Sequence, residues 1–125
     1  MGLEQEVDVL RRIPLFQNIE PSKLKLMAFA SERVTFAADT ALFEQGEEGD
    51  AAYIVLDGTA DVRVTADGGE AITVAQVANN DIVGEIAILC DVPRTATVVA
   101  TSELVTLKIT KELFFRMVQD FPQIG

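Results

Sequence analysis

The sequence contains no histidine, and this absence removes most classes of catalytic and metal-binding site. Serine–histidine triads and cysteine–histidine dyads both need an imidazole as the base. Most zinc and iron sites in proteins use imidazole ligands as well. We therefore expect a chain that is not an enzyme, with no catalytic residues, no metal site and no cofactor.

Cysteine and basic residues are also scarce. The single cysteine, Cys90, cannot form an intramolecular disulfide, which fits a reducing, cytoplasmic location. Ten Lys and Arg residues stand against 20 Asp and Glu residues, so the formal net charge is −10. Because affinity for nucleic acid comes mainly from neutralising phosphates with Lys and Arg, direct contact with nucleic acid is not expected. Solubility accounts for the acidity.

Long apolar runs are missing too. None approaches the roughly 18 residues that a membrane helix needs, so no membrane segment is expected. Residues 1–8 carry three acids and no basic residue, which is unlike a signal peptide. The hydrophobic share is nevertheless 49% of 125 residues, which predicts one folded domain, residues 1–125, with a substantial core.

Helical patterns occupy both ends of the chain. In residues 1–31, Pro14 ends a first predicted helix and Pro21 suits the first turn of a second. The inward-facing residues are Val7, Leu10 and Ile13 in the first helix and Leu24, Met27 and Ala28 in the second. A C-terminal helix is predicted over residues 110–121, with Thr110 as its N-cap. Its apolar face comprises Leu113, Phe114, Met117, Val118 and Phe121.

Residues 32–109 show the pattern of many short strands. Residues 53–56 form a continuous apolar run, typical of a strand covered on both faces. Alternating apolar residues at 60–64 and 72–74 flank a hairpin turn at Asp67-Gly68-Gly69. Two further strand faces are predicted, formed by Ala96, Val98 and Ala100 and by Val105, Leu107 and Ile109. The pattern predicts a mainly β sandwich or barrel with flanking helices. The main enzymatic alternative for a small β-barrel, a cupin-type metalloenzyme, is disfavoured because histidine is absent.

One segment, residues 80–98, breaks the strand rhythm. A turn leads to Gly84, a helix of one or two turns begins at Glu85, and Arg94 follows Pro93 at the predicted start of the next strand. Glycine permits close approach of a ligand, a helix start favours an anion, and arginine can meet a phosphate with two parallel hydrogen bonds. The segment therefore predicts an anion site. The spacing of these residues is explained equally well without an anion site, by a bend at Gly84 and a surface ion pair between Glu85 and Arg94.

Two stretches of this segment, Gly84-Glu85-Ile86-Ala87-Ile88-Leu89 and Pro93-Arg94-Thr95-Ala96-Thr97-Val98, closely resemble the phosphate-binding cassette of cyclic-nucleotide-binding domains. The run Phe43-Glu44-Gln45-Gly46-Glu47-Glu48-Gly49-Asp50 resembles the glycine-punctuated early barrel of the same family. The resemblance covers essentially the whole chain. It implies a β-barrel of the double-stranded β-helix, or jelly-roll, type (residues 32–109, cassette 84–96), with N-terminal helices and a C-terminal helix.

The resemblance also implies roles for single residues. Glu85 would accept a hydrogen bond from the ribose 2′-hydroxyl, and Arg94 would pair with the exocyclic oxygens of the cyclic phosphate. Thr95 would add a hydroxyl near the phosphate and the base. The phosphate cradle at Gly84 would be completed by backbone N–H groups of Ile86, Ala87 and Ala96. Val62 and Val77 match the apolar wall against the nucleoside, although ordinary barrel core explains them equally well.

The implied function is a non-catalytic sensor whose ligand is cAMP, favoured over cGMP. Binding would move the cassette, and a hinge contact of Ile88 with Phe114 or Phe115 would repack the C-terminal helix. The effector would be another domain or a protein in trans, and a homodimer is compatible with this arrangement. The alternative is an interaction or structural module that keeps the fold but no longer binds nucleotide.

Some positions depart from the family pattern. Asn80-Asp81-Ile82-Val83 stands where the family usually has Gly-Asp-x-Phe. Asparagine tolerates left-handed backbone, so the turn is expected to persist. Because the aromatic residue is missing, the packing beneath the cassette is expected to be looser. Cys90 is expected to be a small hydrophobe or an incidental surface thiol rather than a redox switch. The family's lid helix, which covers the base, would begin near residues 122–125. The lid is thus expected to lie beyond this sequence, to be disordered, or to come from another chain, and base selectivity is expected to be weak.

Overall fold

Eight short strands lie between two N-terminal helices and one C-terminal helix in the computed structural model, which describes residues 3–118. The helices are α1 (Leu3–Arg12), α2 (Pro21–Ala30), α3 (Glu85–Cys90) and α4 (Lys111–Val118), and a 3-10 turn spans Pro14–Phe16. The strands are β1 (Glu32–Phe36), β2 (Ala41–Phe43), β3 (Ala51–Asp57), β4 (Ala60–Thr65), β5 (Ala71–Val77), β6 (Ile82–Val83), β7 (Thr97–Ala100) and β8 (Leu104–Thr110).

The strands form two antiparallel four-stranded sheets. Their orders are β1-β8-β3-β6 and β2-β7-β4-β5. Eight strands that alternate between two sheets in this way make a jelly roll. The predicted double-stranded β-helix is therefore confirmed, although it is built as two facing sheets rather than one hydrogen-bonded cylinder within the described residues.

The core has two layers, one on each face of the β1-β8-β3-β6 sheet. On one face, Ala52, Ile54 and Leu56 of β3 join the helices in a cluster with buried Phe16 and Phe114. On the other face, Ala51, Tyr53 and Val55 of β3 join a cluster between the two sheets. Because β3 serves both layers, all residues from 51 to 56 are buried, which confirms the strand predicted to be covered on both faces.

The predicted helices are confirmed over residues 3–12, 21–30 and 111–118, although Ile13 lies just after the end of α1. Leu10, Ile13, Leu24, Met27 and Ala28 are buried, and Val7 is partly buried against them. The N-cap assigned to Thr110 is also correct, since the backbone N–H of Leu113 donates to its hydroxyl at 3.2 Å. The inward positions of Leu113, Phe114 and Met117 are confirmed, whereas the side chain of Val118 and all of Phe121 lie outside the described residues. None of the helices within residues 3–118 has the length and apolar character to cross a membrane.

Strand β5 differs from the prediction of one buried face. Its residues Ile72 and Val74 are 64% and 60% exposed. β5 is the edge of its sheet, and the register with β4 shifts between Val62 and Arg63, so Val74 has no directly paired residue. Residues 71–76 are all exposed, so neither face of this edge strand is covered, and periodicity alone does not reveal an edge position.

The sequence analysis placed Arg94 at the start of the next strand, and this prediction is wrong. Strand β7 starts at Thr97. The backbone of Arg94 instead pairs with the loop after β2. The N–H of Gly46 donates to the Arg94 carbonyl at 2.8 Å, and the N–H of Arg94 donates to the Glu47 carbonyl at 2.7 Å. This loop pairing fixes the backbone of Arg94 next to the end of β2.

Candidate functional site

The cassette encloses a pocket of about 210 Å³ at the start of helix α3. The pocket is lined by Val62, Ile82, Val83, Gly84, Glu85, Ile86, Ala87, Arg94, Thr95 and Ala96. The structure thus brings together every ligand residue proposed from the sequence except Val77. That residue pairs with Ala60 and packs against the core between the sheets, which is the ordinary-core explanation.

Left-handed backbone at two positions shapes the turn into the cassette. Asn80 adopts φ 76°, so the tolerance expected of asparagine is used here. Asp81 accepts a hydrogen bond from the Ala78 N–H at 2.9 Å, which tightens the same turn. Gly84 adopts φ 87° and precedes α3, whose six residues make the predicted short helix. The turn brings the Gly84 carbonyl and the first N–H groups of α3 to the pocket.

The Arg94 side chain is folded inward at this pocket, with only 3% of the residue exposed. Its Nη1 donates to the Gly84 carbonyl at 2.9 Å, and its Nη2 donates to the Ala51 carbonyl at 2.7 Å. Asp50 Oδ1 lies 3.6 Å from Nη2. The buried Nε has no hydrogen-bond partner among the described residues. Arg94 therefore ties the cassette to the start of β3 and still carries an unsatisfied donor.

An aromatic ring lies beneath this guanidinium. The Arg94 guanidinium carbon is 4.0 Å from the centroid of the Phe43 ring, and Phe43 in turn stacks on Tyr53 at 6.1 Å and 29°. Burial lowers the pKa of Arg94, and nearby Asp50 opposes that shift. Burial also raises the pKa of Tyr53. Both shifts follow from the burial of these groups behind the pocket.

The loop after β2 is held by side-chain hydrogen bonds as well. The Gln45 amide donates to the Thr65 carbonyl at 3.0 Å and accepts from the Thr65 N–H at 2.8 Å, as a neighbouring strand would. The Gln45 N–H donates to Thr97 Oγ1 at 2.9 Å. These bonds connect the hairpin β4–β5 to the loop that pairs with Arg94.

Glu85 is the first residue of α3 and is partly buried at the pocket. Burial raises the pKa of its carboxyl group, while a hydrogen bond from its own backbone lowers it. Arg94 does not pair with it; the acid recorded beside Arg94 is Asp50. The side chain of Thr95 is exposed at the pocket and Ala96 is buried. Glu85 is thus a partly desolvated acceptor at the pocket wall.

The cassette helix also faces the helical core. Ile88 is fully buried in the cluster that contains Phe114, and Phe115 is partly buried against it. Phe114 meets Phe16 edge-on at 5.9 Å. At the neighbouring residue of α3, a methyl group at Gly49 would lie 2.5 Å from the Ala87 Cβ, so the loop after β2 contacts the cassette closely.

Sequence reasoning assigned no role to the residues of the β2–β3 region that contact Arg94 or Ala87. These are Phe43, Gly46, Glu47, Gly49, Asp50 and Ala51. All but Ala51 belong to the glycine-punctuated run that resembles the early barrel. The run was therefore noticed, but its sequence gave no indication that it folds against Arg94, 44–51 residues later in the chain.

Comparison with known proteins agrees with this geometry. The family model described as the cyclic nucleotide-binding domain matches residues 33–121. A cAMP-dependent protein kinase regulatory subunit from Colletotrichum orbiculare is 32% identical over 110 residues, covering 88% of this chain and 27% of the relative. The chain therefore spans about a quarter of the length of that relative.

Solved structures share the fold. A cyclic nucleotide-binding-like protein from Brucella abortus superposes with a TM-score of 0.79 at 31% identity, covering 91% of this chain and 97% of that one. The regulatory domain of Toxoplasma gondii PKA, crystallised with cAMP, gives a TM-score of 0.87 at 25% identity, covering 94% and 47%. The family model covers most of the chain, and its match includes the whole cassette. This chain belongs to the cyclic nucleotide-binding domain family.

Proposed function

We propose that this chain is a non-catalytic sensor that binds a cyclic mononucleotide at the cassette pocket, with cAMP favoured over cGMP. The observation that carries the proposal is Arg94, a buried guanidinium that lines the pocket and keeps an unpaired Nε donor. A buried unpaired donor costs about 1–3 kcal/mol, so a ligand that reorders the cassette and pairs with this donor would recover that cost.

In this proposal each group meets one part of the ligand. The phosphate accepts from Arg94 and from the backbone N–H groups of Ile86, Ala87 and Ala96, with the Thr95 hydroxyl beside it. Glu85 accepts a hydrogen bond from the ribose 2′-hydroxyl, and the bond is strongest when the carboxyl group is ionised. Relatives named as cAMP-dependent kinase subunits, and a neighbour crystallised with cAMP, support this choice of ligand.

Transmission would run through the buried side of the cassette. Because Ile88 shares a core cluster with Phe114 and Phe115, a shift of α3 on ligand binding would repack α4. The effector is then a further domain or a protein in trans, in keeping with relatives that are regulatory subunits. A homodimer remains a prediction from the sequence.

One observation favours the alternative of a structural module that does not bind nucleotide. Arg94 already donates to the carbonyls of Gly84 and Ala51, so part of its hydrogen-bonding capacity is used within the protein. An arginine that only ties the cassette to β3 would need no ligand. The two functions differ in a simple observable, which is saturable binding of a cyclic nucleotide.

We expect cAMP to bind more tightly than cGMP, but by no more than about tenfold, or 1.4 kcal/mol. The pocket of about 210 Å³ is smaller than the roughly 300–1,000 Å³ of sites that enclose drug-sized ligands, so it suits the phosphate and ribose rather than the base. Calorimetric titration with each nucleotide measures the difference. A much larger preference would show that the pocket wall reads the base, and the absence of binding by either would favour the structural module.

Glu85→Gln should reduce the preference for cAMP over 2′-deoxy-cAMP. When the 2′-hydroxyl is missing, the wild-type carboxylate is left without a hydrogen-bond partner, which costs binding free energy. The neutral amide of the variant loses less binding free energy in the same situation. The measurement is the ratio of the two dissociation constants in wild type and variant. Asp81→Asn, a substitution of the same kind in the turn before the cassette, is the control and should keep the wild-type ratio. Equal ratios in wild type and Glu85→Gln would assign Glu85 another role.

A further inference from the structure

The ring beneath Arg94 has no role in the ligand contacts described so far. The guanidinium carbon of Arg94 lies 4.0 Å from the Phe43 centroid, well inside the roughly 6 Å limit of a cation–π contact. Both groups are almost fully buried, so the contact is desolvated and correspondingly strong. We propose that Phe43 is a positioning residue that holds Arg94 for anion binding, an inference that rests on the proposed function.

The contact with the ring leaves the donors of Arg94 for other partners. The central carbon of the guanidinium lies over the Phe43 ring, and the two recorded hydrogen bonds of its nitrogens go to the carbonyls of Gly84 and Ala51. Phe43 therefore compensates for part of the lost hydration of the cation without replacing these hydrogen bonds. The Nε–H stays unpaired. The ring thus helps to hold the guanidinium where its remaining donors can meet an anion.

The Phe43 ring is itself held in place. It stacks on Tyr53, and Tyr53 meets Phe36 edge-on at 5.8 Å. A methyl group at Gly84 would lie 3.1 Å from Phe43 Cε2, so the ring also contacts the turn into the cassette. Within this aromatic group, Phe43 contacts both Gly84 and Arg94. Phe36 belongs to the same group but contacts Tyr53, and the cation–π contact of Arg94 is with Phe43.

A change in ring electrostatics without a change in ring shape provides the sharpest test. Pentafluorophenylalanine in place of Phe43 keeps the shape and removes the negative face that attracts a cation. We expect the cAMP dissociation constant to rise about tenfold, while the same replacement at Phe36 changes it by less than about threefold. Phe43→Leu should also weaken binding about tenfold. In an Arg94→Lys background, Phe43→Leu should have a clearly smaller effect, because the stacked guanidinium is gone.

The outcomes separate this inference from the proposed function. If wild type and Arg94→Lys bind cAMP with different affinities but fluorination at Phe43 leaves the wild-type affinity unchanged, Phe43 is ordinary packing and the inference is wrong. The same conclusion follows if fluorination at Phe36 is equally damaging, or if Phe43→Leu has the same effect in both Arg94 backgrounds. If wild type binds no cAMP, both proposals are overturned. The fluorinated variants retain the ring, so they test the contact even if Phe43→Leu unfolds.

Discussion

Arg94→Ala should weaken cAMP binding by about 2–5 kcal/mol, which is at least about thirtyfold in the dissociation constant. The reason is that a buried phosphate would lose its one guanidinium partner in a pocket whose other recognised donors are neutral. The loss should occur mainly in the dissociation rate, because the contact is buried rather than a long-range attraction. Calorimetry gives the affinity, and stopped-flow displacement gives the rate.

The variant also loses two internal hydrogen bonds, so its folding must be measured alongside its binding. Arg63→Ala is the matched control, because Arg63 is also a barrel arginine paired with a carboxylate, Asp61, at 3.3 Å, but lies outside the pocket lining. Its cAMP affinity should stay within about twofold of wild type. A change of less than about tenfold in folded Arg94→Ala would reject the phosphate assignment.

Gly84→Ala should destabilise the fold by about 2–5 kcal/mol and weaken binding as well. Position 84 has φ 87°, which strains any residue with a Cβ. A methyl group there would also lie 2.7 Å from Arg94 Nη1 and 3.2 Å from the Ala51 carbonyl oxygen. Either the arginine or the turn must move, and both line the pocket. Denaturant unfolding measures the first effect and titration with cAMP the second.

Gly68→Ala is the control that separates backbone strain from steric overlap in the Gly84→Ala experiment. Gly68 also has positive φ, at 68°, but a methyl group there would meet no atom within 4 Å. We expect it to cost only the backbone strain and to leave cAMP affinity unchanged. If Gly84→Ala and Gly68→Ala lose equal stability and neither alters binding, the close packing of Gly84 against Arg94 is unimportant.

The sequence predicts local features of this protein well. Asn80 could be expected to take left-handed backbone from its residue type, and it does, at φ 76°. Residues 53–56 could be recognised as a doubly buried strand because their apolar run is uninterrupted. The short helix after Gly84 and the N-cap at Thr110 follow from equally local rules. Such features depend on a few neighbouring residues, so a single sequence contains them.

Features that depend on contacts between residues far apart in the sequence were not predicted. The exposure of Ile72 and Val74 belongs to an edge strand whose residues 71–76 are all exposed, and that edge position is set by how distant strands pair. The inward fold of Arg94 depends on Phe43 and Ala51, which lie 51 and 43 residues earlier. The residue types at positions 43 and 51 do not indicate a contact with position 94. Only the three-dimensional structure shows that contact.

The central claim is that cyclic nucleotide binds in the cassette pocket, and an NMR titration of the isotope-labelled protein with cAMP tests it most directly. We predict saturable amide shifts that are largest at residues 84–87 and 94–96. Residues around the separate cleft between α1 and α2, such as Val7 and Lys25, should shift little. Saturable shifts centred on that cleft, or no shifts at millimolar cAMP in folded protein, would contradict the account.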